Sequence, residues 1–249
     1  MAERTSYPPG TFSWAELATS DADAAKAFYT QLFGWDYDDN PIGDGQVYTM
    51  AQRDGGTVAA LYGSDQPPHW NCYVTVASAD ETAGKAAEAG GSVVAEPFDV
   101  MDVGRMAVIA DPQGAALCIW EPRASIGATL VNQAGAMTWN DLLTADPAAS
   151  AEFYGNLFGW TTDEMPDAGG YRVIKNGERA NGGMFPSPDG PPAWVPYFGH
   201  EDVDRVVDEI AGLGGRVLNG PMRMPQGSIA ALMDPQGAVF SIWSGTYDD

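Results

Sequence analysis

The sequence predicts an α+β protein of two tandem domains, each holding a β-α-β-β(-β) unit twice, and three observations lead there. The first is a long internal repeat. Phe12-Ser-Trp14-Ala-Glu16-Leu17, Asp21, Phe28-Tyr29 and Phe33-Gly34-Trp35 return 125 residues later as Met137-Thr-Trp139-Asn-Asp141-Leu142, Asp146, Phe153-Tyr154 and Phe158-Gly159-Trp160. Pro67-Pro68-His69-Trp70 and Tyr73 answer Pro191-Pro192-Ala193-Trp194 and Tyr197, and Asp111-Pro112-Gln113-Gly114 with Trp120 answers Asp234-Pro235-Gln236-Gly237 with Trp243. All eight tryptophans fall into four such pairs, so one fold occurs twice. The second observation is that helical and strand periodicities alternate within each half. The third is that Gly and Pro total 48 of 249 residues and fall between the periodic segments, where turns belong.

The elements of the first half follow in order. Phe12 to Ala18 alternates bulky and small residues, as a strand does. Ser20-Asp21 offers a helix cap, Ala24, Ala27, Phe28, Gln31 and Leu32 keep helical spacing, and Gly34 stops the helix. Gly45–Ala51 and Thr57–Tyr62 read as strands around an Asp54-Gly55-Gly56 turn. Trp70–Ala77 is a further strand, and Ala79–Ala89 is a second helix closed by Gly90-Gly91. Ser92–Ala95, Arg105–Ala110 and Ala115–Trp120 complete the half, the last two joined by the Asp-Pro-Gln-Gly turn. The seam carries no strong periodicity; domains at 8–123 and 134–246 with a linker at 124–133 are expected.

Composition narrows the function. Acids outnumber bases 34 to 12, a net charge of −22. Nucleic-acid binders need Lys and Arg to displace phosphate counterions, so DNA, RNA and anionic membranes are excluded as expected partners. The long-range field favours a neutral or cationic ligand, unless the charge serves solubility alone. No apolar run approaches the roughly 18 residues of a membrane span, and the first ten residues lack the apolar core of a secretory signal. Two cysteines cannot form a disulfide framework, so a cytoplasmic location is expected.

Asp21 opening a helix, Phe28-Tyr29, Phe33-Gly34-Trp35 and the Asp111-Pro112-Gln113-Gly114 hairpin resemble the vicinal oxygen chelate superfamily of glyoxalases, bleomycin-resistance proteins and extradiol dioxygenases. The resemblance covers nearly the whole chain as two tandem copies. It implies paired βαβββ modules forming curved mixed sheets around a cleft, and an intramolecular pseudo-dimer that can be monomeric as a whole. Enzymatic members hold a divalent metal there through His, Glu or Gln. The positions that match those ligands are Trp14, Tyr73 and Cys118 in the first half and Trp139, Tyr197 and Ser241 in the second. None suits a hard divalent ion and one thiol alone does not hold zinc, so no metal and no other cofactor is expected.

Other chemistries find little support. His69 and His200 do not correspond in the repeat, and each reads as a loop or strand-end residue. Cys118 lacks an obvious base and reads as a small buried thiol. Glu16 and Asp141 stand out, each two residues after a repeat tryptophan and hence on the same strand face. If that face lines the cleft, an aromatic wall stands beside a carboxylate; the alternatives are that the acids face the seam between halves or pair with arginine. The expectation is therefore a metal-independent binding protein, like the antibiotic-sequestering branch of the superfamily. Its ligand would be a planar aromatic compound, with an amine if the acids are used, and its site would comprise Trp14, Glu16, Tyr73, Cys118, Trp139, Asp141, Tyr197 and Ser241. The alternative is a glyoxalase-like or hydroxylase-like enzyme with Glu16 or Asp141 as base.

Overall fold

A computed structural model describes residues 2–43 and 45–247. In the first half β2 (Phe12–Thr19), α1 (Ala22–Phe33), β3 (Asp36–Gly43), β4 (Gln46–Arg53) and β5 (Gly56–Gly63) form one βαβββ module. A second follows with β6 (His69–Thr75), α2 (Ala79–Glu88), β7 (Ser92–Val100), β8 (Gly104–Ala110) and β9 (Ala116–Pro122). The second half repeats both: β11 (Met137–Thr144), α3 (Pro147–Phe158), β12 (Thr161–Met165), β13 (Tyr171–Asn176) and β14 (Arg179–Pro186), then β15 (Ala193–Gly199), α4 (Val203–Glu209), β16 (Arg216–Met224), β17 (Gly227–Met233) and β18 (Val239–Gly245). A small pair, β1 (Ala2–Glu3) with β10 (Leu130–Val131), accompanies them.

Each half is one open mixed sheet of eight strands. The order is β3-β4-β5-β2-β6-β9-β8-β7 in the first and β12-β13-β14-β11-β15-β18-β17-β16 in the second. The antiparallel pair at the centre, β2 with β6 or β11 with β15, joins the two modules, and each of these strands runs parallel to the last strand of its own module. Repeat partners therefore occupy the same place: Trp14 and Trp139 lie on first strands, Trp120 and Trp243 on last strands.

Local chemistry accounts for the helix ends. Asp21 caps α1 by accepting from Ala24 N, Asp146 caps α3, and Gly34 and Gly159 end these helices at φ 68° and 74°. The helix after β6 is capped by Ser78 and its counterpart by Asp202, so Asp80 and Asp204 sit in first turns. The buried face of α1 is Ala25, Phe28, Tyr29, Leu32 and Phe33, turned from the expected stripe; Ala27 and Gln31 are exposed. The cause lies in the other half: Tyr29 packs edge-on against Phe240, and Phe33 against Phe198.

The signature residues of the repeat build that contact. Tyr29 Oη donates to Asp234 Oδ2 at 3.0 Å and Tyr154 Oη to Asp111 Oδ2 at 3.3 Å, so each half's Asp-Pro-Gln-Gly turn receives the other half's helix. Trp70 and Trp194 donate to these same tyrosines. Trp35 Nε1 reaches across to Gly135 O and Trp160 Nε1 to Gly10 O, both at 2.7 Å. Four of the eight tryptophans thus belong to the seam, leaving Trp14, Trp120, Trp139 and Trp243 for the sheet faces. Residues 124–133 are tied down as well, with Ala128 N donating to Ser13 O and Thr129 N to Thr57 O.

Candidate functional site in each half

The central strands set the register that matters. Trp14 lies opposite Tyr73, and Tyr73 opposite Cys118, so the three form one row across β2, β6 and β9. Trp139, Tyr197 and Ser241 form the same row across β11, β15 and β18. The spacing read from the sequence does bring these positions together. Glu16 and Asp141 lie one pleat along, on the same face as their tryptophans.

The carboxylates are not free walls of a cleft. Glu16 is 8% exposed and accepts from Tyr73 Oη at 2.6 Å, Tyr48 Oη at 2.9 Å and Asn71 Nδ2 at 3.4 Å. Trp14 Nε1 donates to Tyr48 Oη at 3.1 Å, and Asn71 also reaches Tyr62 Oη. Asp141, 5% exposed, accepts from Tyr197 Oη at 2.6 Å, Tyr171 Oη at 2.8 Å and Trp139 Nε1 at 2.9 Å. The alternatives weighed for these acids, the seam or an arginine partner, are not what surrounds them.

Burial raises the pKa of both acids, and their hydrogen-bond donors pull against it: Tyr73, Tyr48 and Asn71 for Glu16, Tyr197, Tyr171 and Trp139 for Asp141. Tyr48, Tyr73 and Tyr197 are raised well above an ordinary phenol, chiefly by burial, and the acid each one touches adds to the effect. Their protons therefore stay on. Cys118, buried beside Tyr73, is raised by the same burial and is an unreactive thiol.

The donor set does not suit a divalent metal. Each row across the central strands holds an indole, a protonated phenol and a thiol or hydroxyl. Among the described residues no three of His, Cys, Asp and Glu converge. His69 opens β6, is exposed, and its Nδ1 lies 2.8 Å from Pro67 O; strand alternation places it on the Glu16 face. His200 follows β15, is buried, and lies at the seam beside Phe33, three residues beyond Tyr197.

Tyr48, Tyr171 and Asn71 are the site residues that sequence reasoning missed. Tyr48 and Tyr171 come from β4 and β13, two strands away from the acid they bond, and only sheet order brings them there. A weak signal existed: both open hairpins whose partner strand bears an aromatic residue, Tyr62 or Phe185, at the same depth.

No helix among the described residues is long and apolar enough to cross a membrane. The family model described as Glyoxalase/Bleomycin resistance protein/Dioxygenase superfamily matches residues 11–119 and again 136–242. A protein of Mycobacterium tuberculosis (strain CDC 1551 / Oshkosh) named "Putative glyoxylase CFP32" is 44% identical over 254 residues, covering 97% of each chain. "Anthracycline biosynthesis protein DauV" of Streptomyces sp. (strain C5) is 32% identical over 272 residues, covering 96% of this chain and 94% of that one. Among solved structures, the Mn(II)-bound glyoxalase from Novosphingobium aromaticivorans shares the fold at a TM-score of 0.68 and 17% identity, over 95% of this chain and 82% of that one. The chain belongs to the glyoxalase/bleomycin resistance protein/dioxygenase superfamily, as two tandem domains.

Proposed function

We propose that the protein binds a planar aromatic small molecule on the concave face of its sheets without using a metal. One observation carries this reading. At the family's ligand row both halves replace coordinating groups with Trp and Tyr rings, and those rings are held rigid by a buried carboxylate. A ring fixed by its polar edge presents its face at little entropic cost, which suits stacking. The exposed rim of the second face adds Phe185, in ring contact with Tyr171, and Met165, in register with Tyr171. Methionine at such a rim adapts to flat ligands. A relative named for anthracycline biosynthesis supports a polycyclic aromatic as the compound class.

An amine on the ligand gains less from the acids than their position beside a tryptophan implies. Each carboxylate already accepts three hydrogen bonds out of roughly four lone-pair directions. Any preference for cations then comes from the net charge of −22 and weakens with salt. Titration of polycyclic aromatics, with and without an amine, followed by tryptophan quenching tests the reading. Saturable binding weakened by Trp139→Ala or Trp14→Ala is expected; indifference to both substitutions overturns it.

An enzymatic reading has one observation in its favour. In each half a buried carboxyl whose pKa burial raises, Glu16 or Asp141, stands one pleat from the Trp–Tyr row, the kind of group that serves as general acid or base. Turnover of a bound compound that is lost in both Glu16→Gln and Asp141→Asn would establish that reading instead. The name of the mycobacterial relative keeps glyoxalase chemistry among the reactions to assay.

A further inference from the structure

The two seams between the halves are related by the repeat but are not alike. At one, Trp160 donates to Gly10 O and Asn176, at the end of β13, closes the corner: its amide donates to Pro9 O at 2.9 Å and Thr11 Oγ1 at 3.1 Å. Asn181 adds a bond to Gly10 O at 2.9 Å. At the other, Trp35 donates to Gly135 O, and the residue matching Asn176, at the end of β4, is Arg53. Its guanidinium passes beneath Gly135, where a Cβ would meet Arg53 Cδ at 2.5 Å. Nη1 donates to Phe33 O at the end of α1. Nε lies 3.5 Å from Asp54 Oδ2 but is buried without a hydrogen bond.

Two more donors come to the same corner, and both differ from their repeat partners. His200 matches Val76, since the backbone N–H of each donates to the carbonyl of the last-strand tryptophan. The Nδ1 of His200 accepts from Asp202 N at 3.0 Å, and burial lowers the pKa of the ring, so it is neutral with its proton on Nε2. Arg205 matches Glu81, as each backbone N–H donates to the capping side chain of its helix. Arg53, His200 and Arg205 thus stand where the other seam has Asn176, Val76 and Glu81. They line a cavity of about 160 Å³ together with Phe33, Gly34 and Gly135. In a chain with 12 bases and two histidines, this gathers two arginines and a histidine at one corner. The opposing charges are the exposed Glu201 at its edge and Asp54, 3.5 Å from Arg53 Nε.

An orphaned guanidinium N–H is costly to bury, and charge-assisted bonds to an oxyanion satisfy such groups. We propose that this seam cavity is a binding site for a small oxyanion, a carboxylate or phosphate group, held by Arg53, Arg205 and the Nε2–H of His200. It is separate from the concave faces and joins elements of both halves: α1 and β4 of the first, α4 of the second. An anion there fastens the halves together. The local pair of arginines works against the negative field of the whole chain, so affinity is set at short range.

Calorimetric titration of the full chain at low ionic strength tests this, with inorganic phosphate and acetate as separate probes and sodium chloride as control. One equivalent of phosphate or acetate per chain is expected to bind, with a raised unfolding midpoint, and whichever probe binds identifies the source of the oxyanion. Arg53→Gln removes the binding. Arg205→Gln, at an exposed position that leaves the core untouched, weakens it roughly tenfold, the loss of one charge-assisted contact. Absence of saturable binding by both probes overturns the proposal, as does binding that chloride matches. Binding that Arg205→Gln leaves unchanged overturns it too, whether or not the Arg53 variant folds.

Discussion

The first and second domains solve one problem, how to bury a carboxylate beneath two tyrosines, with different parts. The first uses the longer acid, Glu16, and spans the extra reach with Asn71 across the strand. The second uses Asp141, places Val195 opposite, and bonds Trp139 directly. The shorter acid draws Tyr171 close to the sheet, and Gly183 makes room: a Cβ there would collide with Tyr171 Oη and meet Asp141 Oδ1 at 2.5 Å. In the first domain the residue in that register is Ala60, tolerated because the glutamate reaches farther. Exposure differs as well. Trp14 and Tyr73 are buried, whereas their counterparts Trp139 and Tyr197 are half-buried; Tyr48 and Tyr171 are half-buried alike, and Phe185 is 44% exposed where Tyr62 is half-buried. Two copies of one fold have kept the network and varied its components, and the second has the more accessible face.

Removing an acid tests that comparison most severely. Glu16→Ala strands the buried Tyr73 together with the half-buried Tyr48 and Asn71, at roughly 1–3 kcal/mol for each unsatisfied group, less whatever relaxation recovers. Denaturant unfolding should show a loss of about 3–5 kcal/mol. Asp141→Ala should lose less, since Tyr197, Tyr171 and Trp139 are all half-buried and can turn to water, whereas Tyr73 cannot. Equal losses, or the reverse order, would mean that the exposure difference has no energetic content.

A smaller effect is expected at the compensating glycine. Gly183→Ala should cost about 1–3 kcal/mol by overpacking, because it pushes Tyr171 off Asp141. Adding Asp141→Glu copies the first domain's pairing with Ala60 and should restore part of the loss. A double-mutant cycle with no coupling would show that acid length and glycine are unrelated.

Ligand binding sharpens the comparison next. Trp139→Ala should weaken an aromatic ligand roughly tenfold, the worth of one ring contact. Trp14→Ala should weaken it less, because that ring is only 7% exposed. The measurement is quenching of the remaining tryptophans; a larger effect at Trp14 would move the working face to the first domain.

Strong, repeated signals were legible in the sequence. The tandem fold, the central strands and the Trp14–Tyr73–Cys118 row follow from the repeat and from counting back from helix starts. The edge strands β3 and β12 were not. Asp36–Gly43 reads Asp-Tyr-Asp-Asp-Asn-Pro-Ile-Gly, a turn-like composition, yet it pairs along β4. An exposed edge needs hydrogen bonds on one side only and tolerates charge and proline, so alternation is absent there. The roles of Trp35 and Trp70 were hidden because their partners lie across the seam in Gly135 O and, through Tyr29, in Asp234. Tyr48 and Tyr171 were hidden for the same reason. A hydrogen bond between strands two places apart in the sheet leaves no local pattern.

The gentlest test uses pH. Burial raises the pKa of Glu16 and Asp141 above their values in the unfolded chain. A raised carboxyl binds its proton more tightly when folded. Its contribution to stability is therefore complete below the unfolded value, about 4.3 for Glu and 3.9 for Asp, and is lost as pH rises through the folded value. Asp234, raised by burial though held by the backbone N–H groups of its own turn, adds in the same direction. Asp39, Asp80 and Asp99 oppose it. Lys26, Arg105 and, for Asp99, also Arg123 lower these acids, which lose stability as pH falls, but they are exposed pairs of little weight. Folding should thus take up protons just above the ordinary carboxylate range, and unfolding free energy should fall as pH rises through that window. Glu16→Gln and Asp141→Asn each remove one titrating group and should each flatten the slope. A wild-type slope of opposite sign in that window would show that the tyrosine hydrogen bonds outweigh burial and that the acids are held ionised. The two networks would then stabilise a charge.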